Sequence, residues 1–394
     1  MKNFYIPAGQ ASYIGWGASS QLIVEINKIN PHNILIVADP ILVQLGVLDE
    51  LLGEIKKGNY DFDLYTDIIP EPTLDTGKKL VAYSRKGKYS MIVGIGGGSC
   101  LDLTKLASVF TNNEGDIADY LNLTSVRKIK NKGVFTILIP TTSGTGSEVT
   151  DITVLALDQT KDVISHEYLK ANLAIIDPKL TITVPPQVTA ATGADAFTHA
   201  IEAYLSINAN PVSDGLALQA IRLIGGSLSR AVKNGTDKDA RIAMSYGSYI
   251  AGLAFHNAGV GAVHALAYPL GGQFHMAHGD SNAVMLPYVL GFISRSCQSR
   301  LKDILSVLEE SSYDMPDELA ARRCISKLAV LMKEIGIPDT LKSFNIPESA
   351  IQSLAHDAVQ QKRLLSRCPV ELDEDSIYTI YDAAFKGKIT YGSN

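Results

Sequence analysis

Four runs in the first half of the chain, NILIVAD (33–39), YSMIVGIG (89–96), GVFTILIP (133–140) and ANLAIIDP (171–178), are almost wholly apolar. A strand with one wet face alternates apolar and polar residues, so continuous apolar runs of this length predict strands covered on both faces. The segments between them supply the cover: SQLIVEINKI, LLGEIKKG and TGKKLVAYSRKG carry apolar residues at helical spacing. Such alternation predicts an α/β domain with a parallel sheet. After the pair Pro185–Pro186 the strand signals stop, and TGADAFTHAIEAYLS, SDGLALQAIRLIGGSLSRAV, DARIAMSYGSYIAGLAF, LKDILSVLEE and ARRCISKLAVLMKEIG all read as helices. The expected organisation is an α/β domain over 1–184 and an all-helical domain over 185–394, and a chain of 394 residues suits two domains.

Composition mainly excludes. The net charge of −6 comes with no basic block, so the chain lacks the electrostatic footprint of a nucleic-acid or anionic-membrane binder. A small-molecule partner is expected instead. No apolar run approaches the ~20 residues that span a bilayer. The opening MKNFYIPAGQ has no apolar core followed by a cleavage site, so a cytoplasmic location is expected. Cys100, Cys297, Cys324 and Cys368 lie far apart with no C-x-x-C pair, and read as free thiols.

MIVGIGGGSCLDLTKLA is a strand, a cluster of glycines (Gly94, Gly96, Gly97, Gly98) and a helix opened by Ser99 or Cys100. Glycines allow close backbone approach, and the free N–H groups of a helix start attract a pyrophosphate, so a dinucleotide is the natural guest. A tight turn without a ligand is the competing reading. The spacing is not a true G-x-G-x-x-G, and the acidic candidate for the ribose, Asp39, precedes the loop instead of following it, so the domain is Rossmann-like but atypical. A carboxylate at Asp39 would accept hydrogen bonds from ribose hydroxyls and repel a 2′-phosphate, favouring NAD over NADP; alternatively it caps the turn beside Pro40. A second polar loop, PTTSGTGSEVT (140–150), follows the strand GVFTILIP at the end where open α/β sheets bind ligands.

In TGADAFTHAIEAYLS, Asp195 and His199 stand at i, i+4 on one helix face, close enough to share a cation or merely to hydrogen-bond. The segment HALAYPLGGQFHMAHG holds three of the chain's eight histidines. His264 and His278 would lie ~21 Å apart in one unbroken helix. Pro269, Gly271 and Gly272 lie between them, so a break there is expected to bring the two rings together. One carboxylate with three imidazoles suits Fe(II) or Zn(II), and nothing in the sequence separates the two metals.

These motifs resemble the iron-dependent (group III) alcohol dehydrogenase family. The resemblance runs almost end to end, through FYIPAGQASYIGWGA, GGGSCLDLTK, PTTSGTGSEVT, IIDPKL, TGADAFTHAIEAYLS, NAGVGAVHALAYPLGGQFHMAHGDSNAVMLP and GIPDTLKSF. It implies an N-terminal dinucleotide domain and a C-terminal helical domain, with the active site in the cleft between them. By the same resemblance, Asp195, His199, His264 and His278 look like the iron ligands. Gly96, Gly97, Gly98 and Ser99 look like the pyrophosphate loop, Asp102 and Lys161 like further cofactor contacts, and Thr141, Thr142 and Thr145 like the adenine and phosphate side of the site. Asp39 matches the position associated with NAD. The implied activity interconverts primary alcohols or short diols with aldehydes, in a dimer or larger homo-oligomer.

The chain departs from the family pattern where most relatives read H-x-x-x-H-P-L-G-G, because the second histidine is Tyr268. Other departures are His275, Ala277, Asp280 and Cys368. Tyr268 is a candidate for passing a proton or for lining the pocket, although an ordinary phenol of pKa ~10 suits proton transfer at neutral pH poorly. His275 is a candidate for the pocket wall beside the metal, for a place behind the ligands, or for simple packing. In the expected reaction a divalent ion acts as Lewis acid on the alcohol oxygen while NAD carries the hydride. The alternative is a non-redox enzyme of the dehydroquinate synthase type. Its polyanionic substrate would call for Lys and Arg around the metal, which AFTHAIEAYLS and VHALAYPLGG lack. A binding protein without chemistry fits four intact ligands poorly.

Overall fold

The computed structural model describes residues 6–7, 9–157, 161–309 and 314–392. Residues 4, 5 and 8 of the motif FYIPAGQASYIGWGA, and residue 310 at the end of LKDILSVLEE, lie outside that set. The chain divides into two compact units, Ala8–Val184 and Pro185–Asn394, the second including Ile6 and Pro7.

The first unit contains strands β1 (Ala11–Ile14), β2 (Ile34–Ala38), β3 (Phe62–Tyr65), β4 (Met91–Gly96), β5 (Phe135–Pro140), β6 (Ile152–Ala156), β7 (Lys161–Ser165) and β8 (Leu173–Ile176). Its helices are α1 (Gln21–Ile29), α2 (Pro40–Gln44), α3 (Asp49–Lys57), α4 (Leu74–Gly87) and α5 (Gly98–Thr111). Six strands form one parallel sheet in the order β1-β8-β5-β4-β2-β3, while β6 and β7 make a separate antiparallel pair. The four apolar runs are the four interior strands.

Side chains within β2 and β4 divide between two cores. Leu35, Val37 and Ile92 pack with Leu80 of α4 and Leu103 and Leu106 of α5. Ile34, Ile36, Met91, Val93 and Ile95 pack with Leu22 and Ile26 of α1 and Leu51 and Ile55 of α3. Each strand is therefore apolar on both sides of its pleat, which is why its sequence does not alternate. The edge strands β1 and β3 are part-exposed, and their mixed composition gives no comparable signal.

The second unit contains α6 (Pro186–Leu205), α7 (Pro211–Lys233), α8 (Lys238–Ala258), α9 (Ala262–Phe274), α10 (His278–Ile293), α11 (Gln298–Leu308), α12 (Asp317–Glu334), α13 (Ile351–Val359), α14 (Lys362–Leu365) and α15 (Glu374–Lys386). Its described residues form no strand. Small residues set how closely these helices approach: a Cβ on Gly193 of α6 would lie 2.4 Å from Leu228 of α7, and one on Gly247 of α8 would lie 2.5 Å from Ile224. Helices α8 and α9 meet at 105° across Gly259, whose φ of +78° a side chain would strain. No single helix among the described residues is long and apolar enough to cross a membrane. All four cysteines are buried and free.

The expected break at Pro269–Gly272 is not where the chain turns. Helix α9 continues through Pro269, Gly271 and Gly272 and ends at His275, whose φ of +53° makes the left-handed cap. An interior proline costs about 3 kcal/mol. A fully buried leucine or valine contributes about 1.5–3 kcal/mol. Val263, Leu266 and Leu270 are all wholly buried, so packing outweighs the proline. The turn back to α10 is then made by residues 275–277.

Candidate metal centre and nucleotide loops

Three helices of the second unit bring the metal-ligating candidates together. Asp195 and His199 lie one turn apart on α6, His264 lies in the first turn of α9, and His278 opens α10. Ligand atoms of Asp195, His199 and His264 all fall within 4.8 Å of one another, and all three residues are buried. His278 approaches the same carboxylate, with its Nε2 3.7 Å from Asp195 Oδ1, and its side chain is 28% exposed. His264 Nε2 and His199 Nε2 stand 3.7 and 3.8 Å from that same oxygen. These separations exceed hydrogen-bond length. Donors each about 2.1 Å from one cation lie at most about 4.2 Å apart, a limit that all three contacts to Asp195 Oδ1 meet, and imidazole with carboxylate suits Fe(II) or Zn(II).

The close approach of α10 is fixed by the backbone. A Cβ on Gly279 would lie 2.1 Å from the Ala191 carbonyl oxygen, so only glycine lets the start of α10 rest on α6. Ala191 lies one turn before Asp195, and Gly279 follows His278. The rings form a column: Phe255 stacks on His199 (centroids 4.4 Å apart), His199 on His264 (4.6 Å), and His278 stands edge-on to His264 (5.4 Å) with Tyr268 beyond it (6.0 Å).

Burial pushes the Asp195 carboxyl up, but the imidazoles of His199, His278 and His264 outweigh it and hold it well below the usual carboxylate range. For His264 burial favours the neutral ring, while the carboxylates of Asp195 and Glu202 favour the charged one and win, raising it to about 9.

Glu202, absent from the sequence reading, organises this centre. Its Oε2 lies 2.5 Å from His264 Nδ1, and its two oxygens accept the N–H groups of Val263 (2.6 Å) and His264 (3.3 Å). The side chain thereby caps the start of α9, which has no cap of its own. It also holds a proton on Nδ1, so that Nε2 is the ring atom available to a metal. Its spacing carried the signal, because Asp195, His199 and Glu202 at i, i+4 and i+7 share one face of a helix. His275 is exposed and Tyr268 is 7% exposed. Asp280, in the first turn of α10, has its carboxyl raised by burial.

The first unit gathers the nucleotide candidates at the carboxyl ends of β2, β4 and β5. The chain order reverses between β2 and β4, the switch point at which open α/β sheets take ligands. Asp39 ends β2 and makes no side-chain cap on α2; its Oδ2 instead accepts the Gly97 N–H at 2.7 Å. Burial raises this carboxyl, and the Gly97 bond offsets part of the rise. A Cβ on Gly96 would lie 2.5 Å from Asp39 Oδ2, and one on Gly98 2.5 Å from Thr145, so backbone is all that fits between these neighbours. The N-cap of α5 is Gly97, with no side-chain cap, so the first-turn amides are available to an anion.

Thr141 N–H donates to Gly96 O (3.0 Å), joining the second polar loop to the first, and the would-be Cβ of Gly97 lies 3.7 Å from Thr142. Ser99 Oγ accepts the Glu71 N–H (3.2 Å), and Glu71 holds Lys161 Nζ at 2.8 Å, which brings Lys161 beside the glycine loop. Asp102 is occupied: it accepts Ser147 Oγ (2.5 Å) and Val154 N–H (2.9 Å) and pairs with Lys105 (2.9 Å). It thus fastens the PTTSGTGSEVT loop to α5. Within that loop Glu148 is buried, and desolvation pushes its carboxyl up to about 7 against the pull of its own backbone N–H and of Lys105.

Comparison with known proteins agrees with both halves of this description. Residues 10–178 match the model of the family Iron-containing alcohol dehydrogenase, and residues 189–385 that of the Fe-containing alcohol dehydrogenase family, C-terminal. The chain is 56% identical over 378 residues to Long-chain-alcohol dehydrogenase 1 of Geobacillus thermodenitrificans, covering 96% of each chain. Among solved structures, 1,3-propanediol oxidoreductase superposes with a TM-score of 0.92 at 33% identity, over 98% of this chain and 100% of that one. Sulfoacetaldehyde reductase from Bifidobacterium kashiwanohense, in complex with NAD+, superposes with a TM-score of 0.85 at 27% identity, over 98% and 99% of the two chains.

Proposed function

The chain belongs to the iron-containing alcohol dehydrogenase family and is an NAD-linked oxidoreductase that interconverts an alcohol and its aldehyde; we propose that Asp195, His199, His264 and His278 hold its divalent iron. The observation that carries this reading is the approach of three imidazole nitrogens to one buried Asp195 oxygen at 3.7–3.8 Å. When bound, the ion supplies Lewis acidity at the alcohol oxygen, and NAD accepts the hydride. Glu202 keeps His264 in the ligating tautomer. Phe255 and Tyr268, at the two ends of the ring column, give the centre apolar walls that suit an aliphatic primary alcohol. The helix segments TGADAFTHAIEAYLS and VHALAYPLGG, which carry three of the four proposed ligands, contain none of the Lys or Arg that the non-redox alternative needs for a polyanionic substrate. His275 shapes the turn between α9 and α10 instead of meeting the substrate.

On the nucleotide side, Gly96, Gly97, Gly98 and Ser99 receive the pyrophosphate at the start of α5, and Asp39 takes the adenosine ribose. Thr141, Thr142 and Thr145 line the opposite lip. Lys161 reaches the same end of the sheet through Glu71, while Asp102 acts by holding the second loop in place. The protein belongs in the cytoplasm, a reading that four buried free thiols support. It works as a dimer or larger homo-oligomer, for which the edge strand β1, with Ile14 38% and Trp16 36% exposed nearby, offers a pairing surface.

Protein stripped by chelator and reloaded with Fe(II) is expected to reduce NAD in the presence of primary alcohols of increasing chain length, read as absorbance of reduced nicotinamide. Silence across the whole series would overturn the assignment. In the same assay Tyr268→Phe is expected to shift KM by a few-fold with kcat retained, as for a wall residue. A collapse of kcat would make its hydroxyl a proton carrier.

A further inference from the structure

We propose that Asn282 is a positioning residue of the metal centre, whose carboxamide nitrogen keeps the ligand atoms of Asp195, His264 and His278 converged on one point. The inference rests on the ligand assignment above.

Asn282 lies one helical turn after His278 on α10, so both side chains leave the same face of the helix. It is wholly buried. Its Nδ2 donates to Asp195 Oδ1 at 2.8 Å and stands 3.2 Å from both His264 Nε2 and His278 Nε2. Because Glu202 engages Nδ1 of His264, Nε2 is the ring atom turned toward Asn282. One amide nitrogen with two hydrogens thus faces an oxygen and two ring nitrogens that belong to three separate ligand candidates. These are the atoms a divalent cation would engage.

The other end of the carboxamide sharpens the argument. Asn282 Oδ1 is buried and has no hydrogen-bond partner. A buried acceptor in that state is a liability to the fold, and the apolar leucine of similar shape would avoid it. Turning the amide over offers no relief, because Oδ1 would then meet Asp195 Oδ1, acceptor against acceptor. The orientation is dictated by the ligands and not by the needs of the amide. Its side-chain contacts go to Asp195, His264 and His278, and none goes to a backbone carbonyl. A purely structural asparagine would spend its donors on backbone carbonyls.

The role makes an unusual pairing of expectations for Asn282→Leu in the full-length protein. Zn(II) and Co(II) affinity, measured on chelator-stripped protein by competition with a chromophoric chelator, should fall about 10–100-fold, the range for partners that orient ligands. The stripped variant should nevertheless unfold at the wild-type temperature or above, since the orphaned oxygen is gone. Asn282→Ala should show the same loss of affinity although its cavity lowers the unfolding temperature, and it carries the test if the leucine variant does not fold. Wild-type affinity in either variant overturns the proposal, as does a loss in the alanine variant alone, which would track stability and not the donor. His264→Ala separates the two levels of the reading. If it abolishes metal binding while Asn282→Leu leaves it unchanged, only the role of Asn282 fails. If it too binds metal like the wild type, the ligand assignment fails, and this inference with it.

Discussion

At the carboxyl ends of β2, β4 and β5 the groups proposed to meet the nucleotide are mostly backbone, the first-turn amides of α5 and glycines whose missing Cβ atoms make room. In the proposed metal centre the corresponding groups are side chains, delivered from α6, α9 and α10 and contacted by Glu202 and Asn282. A backbone site fails when an atom is added, whereas a side-chain site fails when one is removed or turned. The two sites should therefore respond to opposite kinds of mutation.

The largest expected effect is at the side-chain site. His264→Ala should lose bound metal and at least about a thousandfold in turnover, the scale of several kcal/mol that a Lewis acid supplies. NAD binding, followed by quenching of protein fluorescence, should stay near wild type; a parallel loss would break the comparison. Next comes a strongly perturbed carboxyl of the second polar loop. Glu148 has its carboxyl raised from the ordinary 4.5 to about 7, so the folded state favours its protonated form. Its contribution is fully present below pH ~4.5 and is lost as pH rises toward about 7, amounting to about 3 kcal/mol. Glu148→Gln should flatten that part of the pH–stability profile, as read by chemical denaturation, and an unchanged slope would contradict the assignment.

Glu202→Gln should weaken metal binding about 10–100-fold by releasing the His264 tautomer, with NAD affinity intact. The smallest effect belongs to an added methyl. Gly98→Ala places a Cβ 2.5 Å from Thr145, and overpacking of about 1 kcal/mol, the low end for an added methyl, translates to about fivefold in NAD affinity. Metal content should not change, and Thr145→Ala should restore much of the loss. Failure of that rescue would mean that the glycine serves backbone conformation and not close approach.

The same contrast explains what the amino-acid order revealed. The interior strands were legible because burial on both faces leaves continuous apolar runs, and the edge strands β1 and β3 were not, because part exposure mixes their composition. Asp195 with His199 was legible as a helical pair, and the convergence of His264 on them was expected, but for the wrong local reason. Pro269 reads as a helix breaker in isolation, and only the packing of α9 shows why it is tolerated. Glu202 was available in the i, i+4, i+7 spacing and was passed over. Asn282 was beyond reach, since its significance lies in its distances to residues on three helices. Motif resemblance filled part of that gap by carrying the ligand set without explaining what aims it.

The contact between Gly279 and the Ala191 carbonyl has a consequence for redesign. It acts as a mechanical stop: the spacing of α10 from α6 is set where two stretches of main chain touch, independently of the side chains that wall the site. Pocket residues such as Phe255 and Tyr268 can then be exchanged to admit other alcohols while His278 keeps its distance from Asp195. On the proposed assignment, specificity and metal geometry should be separable, and a substitution at position 279 is the way to couple them.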